Sequence, residues 1–409
     1  MRKERLSAAT WWLILCGSLV LMLSFGIRSS MGLFMQPISE ANGWGRDLIG
    51  LALAIQNLAW GVIAVIAGGL ADRFGTVRVV VAGAVLYALG LWLTAGVEQI
   101  WVLNSGAGLL VGAGVAGTAF GIVLPAMARA VSEAQRQWVL GIGTAAGSMG
   151  QFLLAPVAQG LIDWLGWAGA LNAMALLSLT MALLAMPLAA SDRGMNGMAE
   201  IASPEAFRDT LRLARGHVSY WLLTLGFFVC GFHLAFITVH MPAFLGDAGF
   251  DAKVGAWSIS LIGLCNVVGA FMAGVISSRV SKRLVLIVIY AGRAVAITLF
   301  MLLPLSLTTV LAFSCVMGFL WLATVPPTSG LVATMFGTRY MATLYGVVFL
   351  SHQIGSFTGV WLGGFLYETT GSYVAVWWSG VVLSLVTVAL HWPIREAPAN
   401  VMRAVTPST

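Results

Sequence analysis

The chain has 409 residues, 59% of them hydrophobic and only 9% charged, with 48 glycines and 16 tryptophans. Soluble domains hold roughly a quarter charged residues, so this composition excludes a soluble fold and indicates a polytopic membrane protein. The net charge of +6 has no polar domain on which to build a nucleic-acid-binding face, and it is better explained by membrane topology.

Cutting the chain at its charged and turn-rich gaps, with about 20 residues needed per crossing, predicts twelve helices. They fall near 9–36, 47–71, 79–96, 100–127, 138–162, 168–190, 218–243, 252–277, 284–304, 307–335, 341–367 and 373–393. The basic start, Arg2, Lys3 and Arg5, resembles that of a signal peptide, but the apolar stretch behind it is too long, so it is read as a retained first helix. The long polar interruption between helices 6 and 7 divides the chain into an N-terminal six-helix bundle (1–190), a linker (191–217) and a C-terminal six-helix bundle (218–409).

Helix 1 contains one arginine, Arg28, within the apolar stretch 21–37. An ionised group at membrane depth costs at least ~2.5–3.5 kcal/mol on insertion scales, so it should face the protein interior or a water-filled path. Its planar fork matches a carboxylate and keeps its charge at any relevant pH. Ser24 and Gly32, four residues to either side, share its face and leave room for a ligand. The alternative is an arginine locked to backbone carbonyls at a helix break. Trp60, Phe120, Trp321 and Phe349 either wall a cavity or pack against neighbouring helices.

Pro125 in helix 4 and Pro326-Pro327 in helix 10 occupy equivalent late positions where helices bend. The small-residue run from Gly141 to Gly150 in helix 5 allows close helix contact. Helix 7 carries His233 and His240, seven apart on one face, and helix 11 carries His352 beside Gln353. Arg293 in helix 9 either packs against a neighbour, lines a gate or meets substrate. All fifteen acidic residues fall in loops or at helix ends, so histidines are the candidates for proton coupling, His233 and His352 first. Cys16, Cys230, Cys265 and Cys315 lie in apolar segments at spacings that suit neither a metal site nor a disulfide framework. No cofactor, metal or catalytic constellation is expected, and the chain is not expected to be an enzyme.

Seventeen of the 21 Lys and Arg residues fall on one side if the N-terminus is inside, against Arg46 and Lys253 outside. The positive-inside rule then puts both termini and the 191–217 linker in the cytoplasm, in a bacterial-type inner membrane. The halves also repeat: Gly26 and Gly231, Pro37 and Pro242, Gly150 and Gly355, and Gly166 and Gly371 are each 205 residues apart, which indicates a duplicated six-helix unit. At that offset Arg28 pairs with His233.

The loop Gly68-Gly69-Leu70-Ala71-Asp72-Arg73-Phe74-Gly75 between helices 2 and 3 resembles the signature of the major facilitator superfamily, and the twelve-helix plan resembles it throughout. The resemblance implies an all-α fold of two pseudo-symmetric six-helix bundles, with Asp72, Arg73 and Gly75 in the conformational loop. One departure is Thr76-Val77 where a basic pair is usual. Arg28-Ser29-Ser30-Met31-Gly32-Leu33-Phe34, with Pro37 and Gly43-Trp44-Gly45-Arg46, resembles the first-helix region of monocarboxylate and oxalate/formate-type porters. Arg28 falls where the monocarboxylate family carries a lysine for the substrate carboxylate. In helix 8 Asn266 retains one member of that family's Asp/Asn and Arg pair, Ala270 replacing the arginine, and it is read as a substrate-orienting group from the second half. His352 falls where the oxalate exchanger carries a lysine.

Together these features imply a secondary transporter of a small monocarboxylate such as lactate or pyruvate, proton-coupled, acting as a monomer in the lipid bilayer and without nucleic acid. Its substrate site would comprise Arg28, Asn266, His233, His352 and Gln353. The alternatives are an oxalate/formate-like anion exchanger and a non-transporting membrane sensor.

Overall fold

Among the described residues ten helices are long and apolar enough to cross a bilayer; one of them bends at Gly166 into two crossings and 341–370 adds a further helix, which makes twelve segments, each in the one conformation that satisfies its backbone where lipid offers no hydrogen bonds. The computed structural model describes residues 6–192, 211–337 and 341–399. The segments are α1 (Ala8–Asn42), α2 (Arg46–Phe74), α3 (Thr76–Ala95), α4 (Ile100–Arg129), α5 (133–165), α6 (167–184), α7 (Val218–Asp247), α8 (Ala252–Ser277), α9 (Lys282–Leu302), α10 (Leu307–Phe336), α11 (Met341–Thr370) and α12 (Val374–His391). The predicted spans agree with these closely. Most of the 191–217 linker, from 193 to 210, lies outside the described residues, as do Arg339 and the Asp72 side chain.

Local chemistry sets the ends. Ser7 caps α1 by accepting from the Thr10 N–H, Asp251 caps α8, and Ser306 forms a reciprocal capping box with Thr309 at the start of α10. The turns after α5 and α11 are made by Gly166 and Gly371 at φ 71° and 68°, a region that side chains avoid. These two glycines are repeat partners, so the duplication read in the sequence is also a duplication of backbone conformation.

The repeat glycines also set the packing. A Cβ on Gly150 would meet the Met22 carbonyl of α1, and one on Gly355 would meet the equivalent Phe228 carbonyl of α7. Gly26 lies against the Gly150 carbonyl, and Gly231 against that of His352. Small residues thus bring α1 against α5, and α7 against α11, backbone to backbone. The outward surface stays apolar, with Trp92, Trp101, Leu176 and Phe271 exposed, as lipid-facing residues are.

α4 and α10 are both broken. The α4 break falls at Ala119, where ψ is −177°, and the α10 break falls between Leu320 and Val325. Each lies just before the prolines that announced bending: Pro125 is inside the second half of α4, and Pro326-Pro327 stand in the first turn of the second half of α10, where a missing N–H is tolerated.

An even number of crossings puts the start of α1 and the end of α12 on one face, here the terminal face. The glycine contacts between α2 and α11 thin out toward it. Along α2, Gly50 and Gly61 meet Val360 and Gln353 of α11, whereas the sites of a Cβ on Gly68 and Gly69 have nothing within 4 Å. The same is true of Gly141 and Gly346. The opposite face is closed. Arg46 at the start of α2 forms a bidentate pair with Asp247 at the end of α7, at 2.5 and 2.6 Å, and its backbone N–H donates to Glu368 of α11 at 2.6 Å. Its guanidinium stacks 4.2 Å from the Tyr367 ring centroid and donates to the Tyr373 hydroxyl at 3.3 Å.

Behind α12, Glu396 accepts from the Ser281 hydroxyl and from the Arg283 backbone N–H, tying the chain end to the α8–α9 turn. Burial works against its ionisation, but these hydrogen bonds prevail and hold its carboxyl below the usual carboxylate range. A carboxyl held low contributes stability above its unfolded value and loses it as pH falls through the folded one. Glu396→Gln is therefore expected to melt about 1–2 °C below the parent at pH 7, with the difference vanishing below about pH 4. A difference that persists there would mean a steric rather than an ionic effect. The cross-half pair gives a second expectation. Side-chain exposures of 10% for Arg46 and 31% for Asp247 limit its contribution to about 1–2 kcal/mol. Asp247→Asn should raise the labelling rate of a cysteine placed at buried Thr238, which lies behind the closure, by about tenfold, and Asp247→Glu should restore it. Labelling unchanged by the Asn substitution would show that other contacts hold this face shut.

Candidate functional site

The site grows from the end of the regular part of α1. Ser29 and Ser30 turn their hydroxyls back onto the Gly26 carbonyl at 3.0 and 2.9 Å, and the next residues, Met31–Phe34, tighten into a 3₁₀ turn. Gly32 in that turn lies against the backbone of Thr238 and Val239 in α7, a close approach that a side chain would block. Arg28 projects just before the tightened turn, half-buried between the two bundles.

Its partners come from α2. The Arg28 Nη2 donates to the Asn57 Oδ1, and the Asn57 Nδ2 donates to the Leu53 carbonyl at 2.8 Å, which aims the amide oxygen at the guanidinium. The guanidinium carbon lies 4.8 Å from the Trp60 ring centroid, a cation–π arrangement. The buried Arg28 Nε has no partner. Among the described residues the ion pair is Arg46–Asp247, so Arg28 has no carboxylate against it. A half-buried cation held by one amide oxygen and a ring is under-neutralised, and its outstanding demand is for an anion.

The second half meets this assembly through α11. Gln353 Nε2 donates to the Asn57 carbonyl at 3.0 Å, and Gln353 Oε1 accepts from His352 Nδ1 at 3.0 Å. A continuous polar chain thus runs Arg28–Asn57–Gln353–His352 across the bundle interface. His352 further reaches the Cys230 thiol, which bonds Thr324 at 3.2 Å. A run of rings parallels this chain: Phe120 on Phe25 at 4.1 Å, Phe25 to Trp60 at 5.7 Å, Trp60 to Phe349 at 5.4 Å, and Phe349 stacked on His352 at 5.7 Å.

Arg28, His352 and Gln353 are therefore joined in one network. Asn266 and His233 are placed elsewhere. Asn266 donates to the Ser148 hydroxyl of α5 at 2.8 Å and accepts from the Leu322 N–H at 2.9 Å, so it supports the α10 break and the α5–α8 interface. His233 is 1% exposed and bonds the Gly380 carbonyl of α12 at 2.9 Å, turned toward α9 and α12 rather than Arg28. His240 lies near the closed face, between the Tyr373 hydroxyl and the Val360 carbonyl. Arg293 is wholly buried and donates to the Leu320 and Trp321 carbonyls freed by the α10 break. Trp321 is itself buried at that break. In the last turn of α2 the Arg73 guanidinium lies over the Phe74 ring, and Gly75 after it takes φ 91°.

Asn57 did not emerge from the sequence. Its one signal is an amide pair, Gln56-Asn57, inside an otherwise apolar span, and Gln56 is engaged by the Ala107 carbonyl. Among the described residues no group of three or more His, Cys, Asp or Glu is arranged to hold a metal.

Comparison with known proteins places this geometry. The chain is 27% identical to monocarboxylate transporter 13 of Rattus norvegicus over 378 residues, covering 89% of this chain and 84% of that one. It is 23% identical to the MFS-type transporter YcxA of Bacillus subtilis, covering 96% of each. Its fold superposes on a bacterial homologue of the human lysosomal transporter Spinster with a TM-score of 0.76 at 15% identity, covering 94% of this chain and 96% of that one. The family model of the Major Facilitator Superfamily matches residues 17–360 and 256–406. Twelve helices in two pseudo-symmetric bundles, with their polar chain at the interface between them, are thus those of a member of the Major Facilitator Superfamily of membrane transporters.

Proposed function

We propose that this protein is a secondary active transporter of a small monocarboxylate such as lactate or pyruvate, coupled to protons. The observation that supports this reading is Arg28: a half-buried guanidinium between the bundles, held by Asn57 and Trp60, with a free Nε and no carboxylate partner. A substrate carboxylate supplies the missing anion. The likeness to a monocarboxylate transporter points the same way.

In this reading residues 1–190 and 218–409 are the two bundles that rock about the site, and the 191–217 linker joins them. The terminal face is cytoplasmic and the membrane a bacterial inner membrane, with the protein acting as a monomer; the arrangement is then open inward and closed outward by Arg46, Asp247 and Glu368. Rocking must break the Gln353–Asn57 bond that joins α11 to α2, so occupancy at Arg28 is linked to the state of the interface. Since Arg28 does not release a proton, coupling falls to an imidazole. His352 is the better placed of the two candidates because it is bonded into the Arg28 network, while His233 is engaged with α12.

Purified protein should be stabilised against heat by small carboxylates through mass action. Arg28→Ala is expected to lose about ten- to a hundredfold in affinity, equivalent to a charge-assisted hydrogen bond of about 1.5–3 kcal/mol. Arg28→Lys should retain part of it, since charge survives while the fork is lost. Parent affinity in Arg28→Ala would remove the arginine from the site. In proteoliposomes, His352→Gln should abolish uphill uptake driven by a pH gradient while still permitting counterflow. Undiminished accumulation would exclude His352 as the coupling group and return the role to His233.

A further inference from the structure

We infer that the acid taken up at Arg28 is one with a flat, apolar body, an aryl or aryl-2-oxo carboxylate, and that small acids without a ring, lactate included, are discriminated against. This rests on the carboxylate reading above and replaces the lactate-like body named there with an aromatic one, from two observations independent of the charge.

The first is what surrounds the guanidinium. Trp60 lies against it at 4.8 Å, and Phe25, Phe120 and Phe349 continue the ring surface on both sides of Trp60. These rings come from α1, α2, α4 and α11, so both bundles contribute. Phe25, Phe120 and Phe349 are only partly buried, and the Trp60–Phe349 contact carries the run from one bundle to the other. Gly147 of α5 lies against two of them: a Cβ there would meet the Phe120 ring and approach that of Phe25. Rings that pack edge to face and offset, and remain partly uncovered, offer a slot for a further ring.

The second is which polar groups are still available. The Asn57 amide N–H goes to Leu53 and the Gln353 amide N–H to Asn57. The Tyr87 hydroxyl donates to the Ser24 carbonyl, Ser24 and Thr118 bond each other, and Ser29 and Ser30 donate to Gly26. Each of these donors already has its acceptor, and the buried Arg28 Nε is the donor left over. A polar group on the body of the substrate, hydroxyl or oxo, finds no free donor among these groups except the guanidinium and must share it with the carboxylate, whereas a ring makes no such demand. A carboxylate on Arg28 with a ring behind it leaves nothing unsatisfied.

The test uses the full-length purified protein and a matched probe set: benzoate, phenylpyruvate, L-lactate and the neutral analogue benzamide, each titrated by thermal shift and calorimetry. Benzoate and phenylpyruvate are expected to bind at least about tenfold more tightly than L-lactate, the worth of one aromatic contact, and benzamide should not bind. Trp60→Leu and Phe120→Leu should each narrow the benzoate-to-lactate ratio to below about threefold. The parent protein carries the primary comparison, so a variant that fails to fold leaves the test intact. L-Lactate binding as tightly as benzoate, with both lost in Arg28→Ala, would overturn this inference and leave the carboxylate reading standing. Binding of benzamide on a par with benzoate, or acids that bind Arg28→Ala as they bind the parent, would overturn the carboxylate reading, and the inference with it.

Discussion

An arginine side chain between two apolar bundles, with no carboxylate opposite it among the described residues, is the constraint on which the rest of this molecule depends. Removing a guanidinium from water is costly unless hydrogen bonds and an opposite charge replace the solvent. Here the replacement is partial: one amide oxygen from Asn57 and the face of Trp60. Every element that touches Arg28 serves that partial solution. The Ser29 and Ser30 hydroxyls fold back onto Gly26 rather than competing for the guanidinium, and the Leu53 carbonyl fixes the Asn57 amide. The same amide residue, through its backbone carbonyl, is the point at which α11 of the other bundle attaches. The partner of the Arg28 charge and the contact with the other bundle are thus concentrated on a single turn of α2.

The duplicated architecture shows how two different sites are built on one framework. Gly26 and Gly231, and Gly150 and Gly355, bring equivalent helices into backbone contact in the two halves. Ser24 bonds Thr118 at the α4 break, and Cys230 bonds Thr324 at the α10 break, at corresponding positions. On this shared frame the ionisable residues differ. The first half puts its arginine on α1, facing the interface. The second puts its arginine, Arg293, on α9, where it holds the carbonyls of the broken α10, and leaves an imidazole, His233, bonded to α12. One half places its cation on α1 beside Asn57 and Trp60, and the other uses its buried cation to support a bend.

Closure is similarly divided. Toward the opposite face the halves are joined by directional polar contacts, the Arg46–Asp247 pair and the Arg46 N–H to Glu368, set among Tyr367 and Tyr373. Toward the terminal face Gly68, Gly69, Gly141 and Gly346 have no neighbour. Charged contacts at an interface that must open are easier to exchange for water than an interlocked apolar core, because the separated charges are solvated again. Placing the only ion pair among the described residues at this rim, rather than at depth, fits an interface that must come apart.

The sequence by itself determined the membrane class, the twelve spans, the six-plus-six division and the presence of a lone arginine, Arg28, within an apolar span. Each of these follows from composition, from length and from the expense of a charge in lipid, properties that are local or additive along the chain. The repeat at 205 residues was legible because glycines required for backbone contact recur in step. Trp60, Phe120 and Phe349 were recognisable as possible walls, but which aromatic residues turn inward was not, because a span buried on nearly all sides has no polar face to orient it. Only the tertiary structure decided that Arg28 is held by Asn57, that His352 and Gln353 join it from the other half, and that His233 and Asn266 serve different contacts. Those outcomes depend on how two bundles meet and on which side-chain donors find acceptors first. Hydrogen bonds between residues almost 300 positions apart, such as Asn57 and Gln353, leave no periodic trace in the chain that makes them.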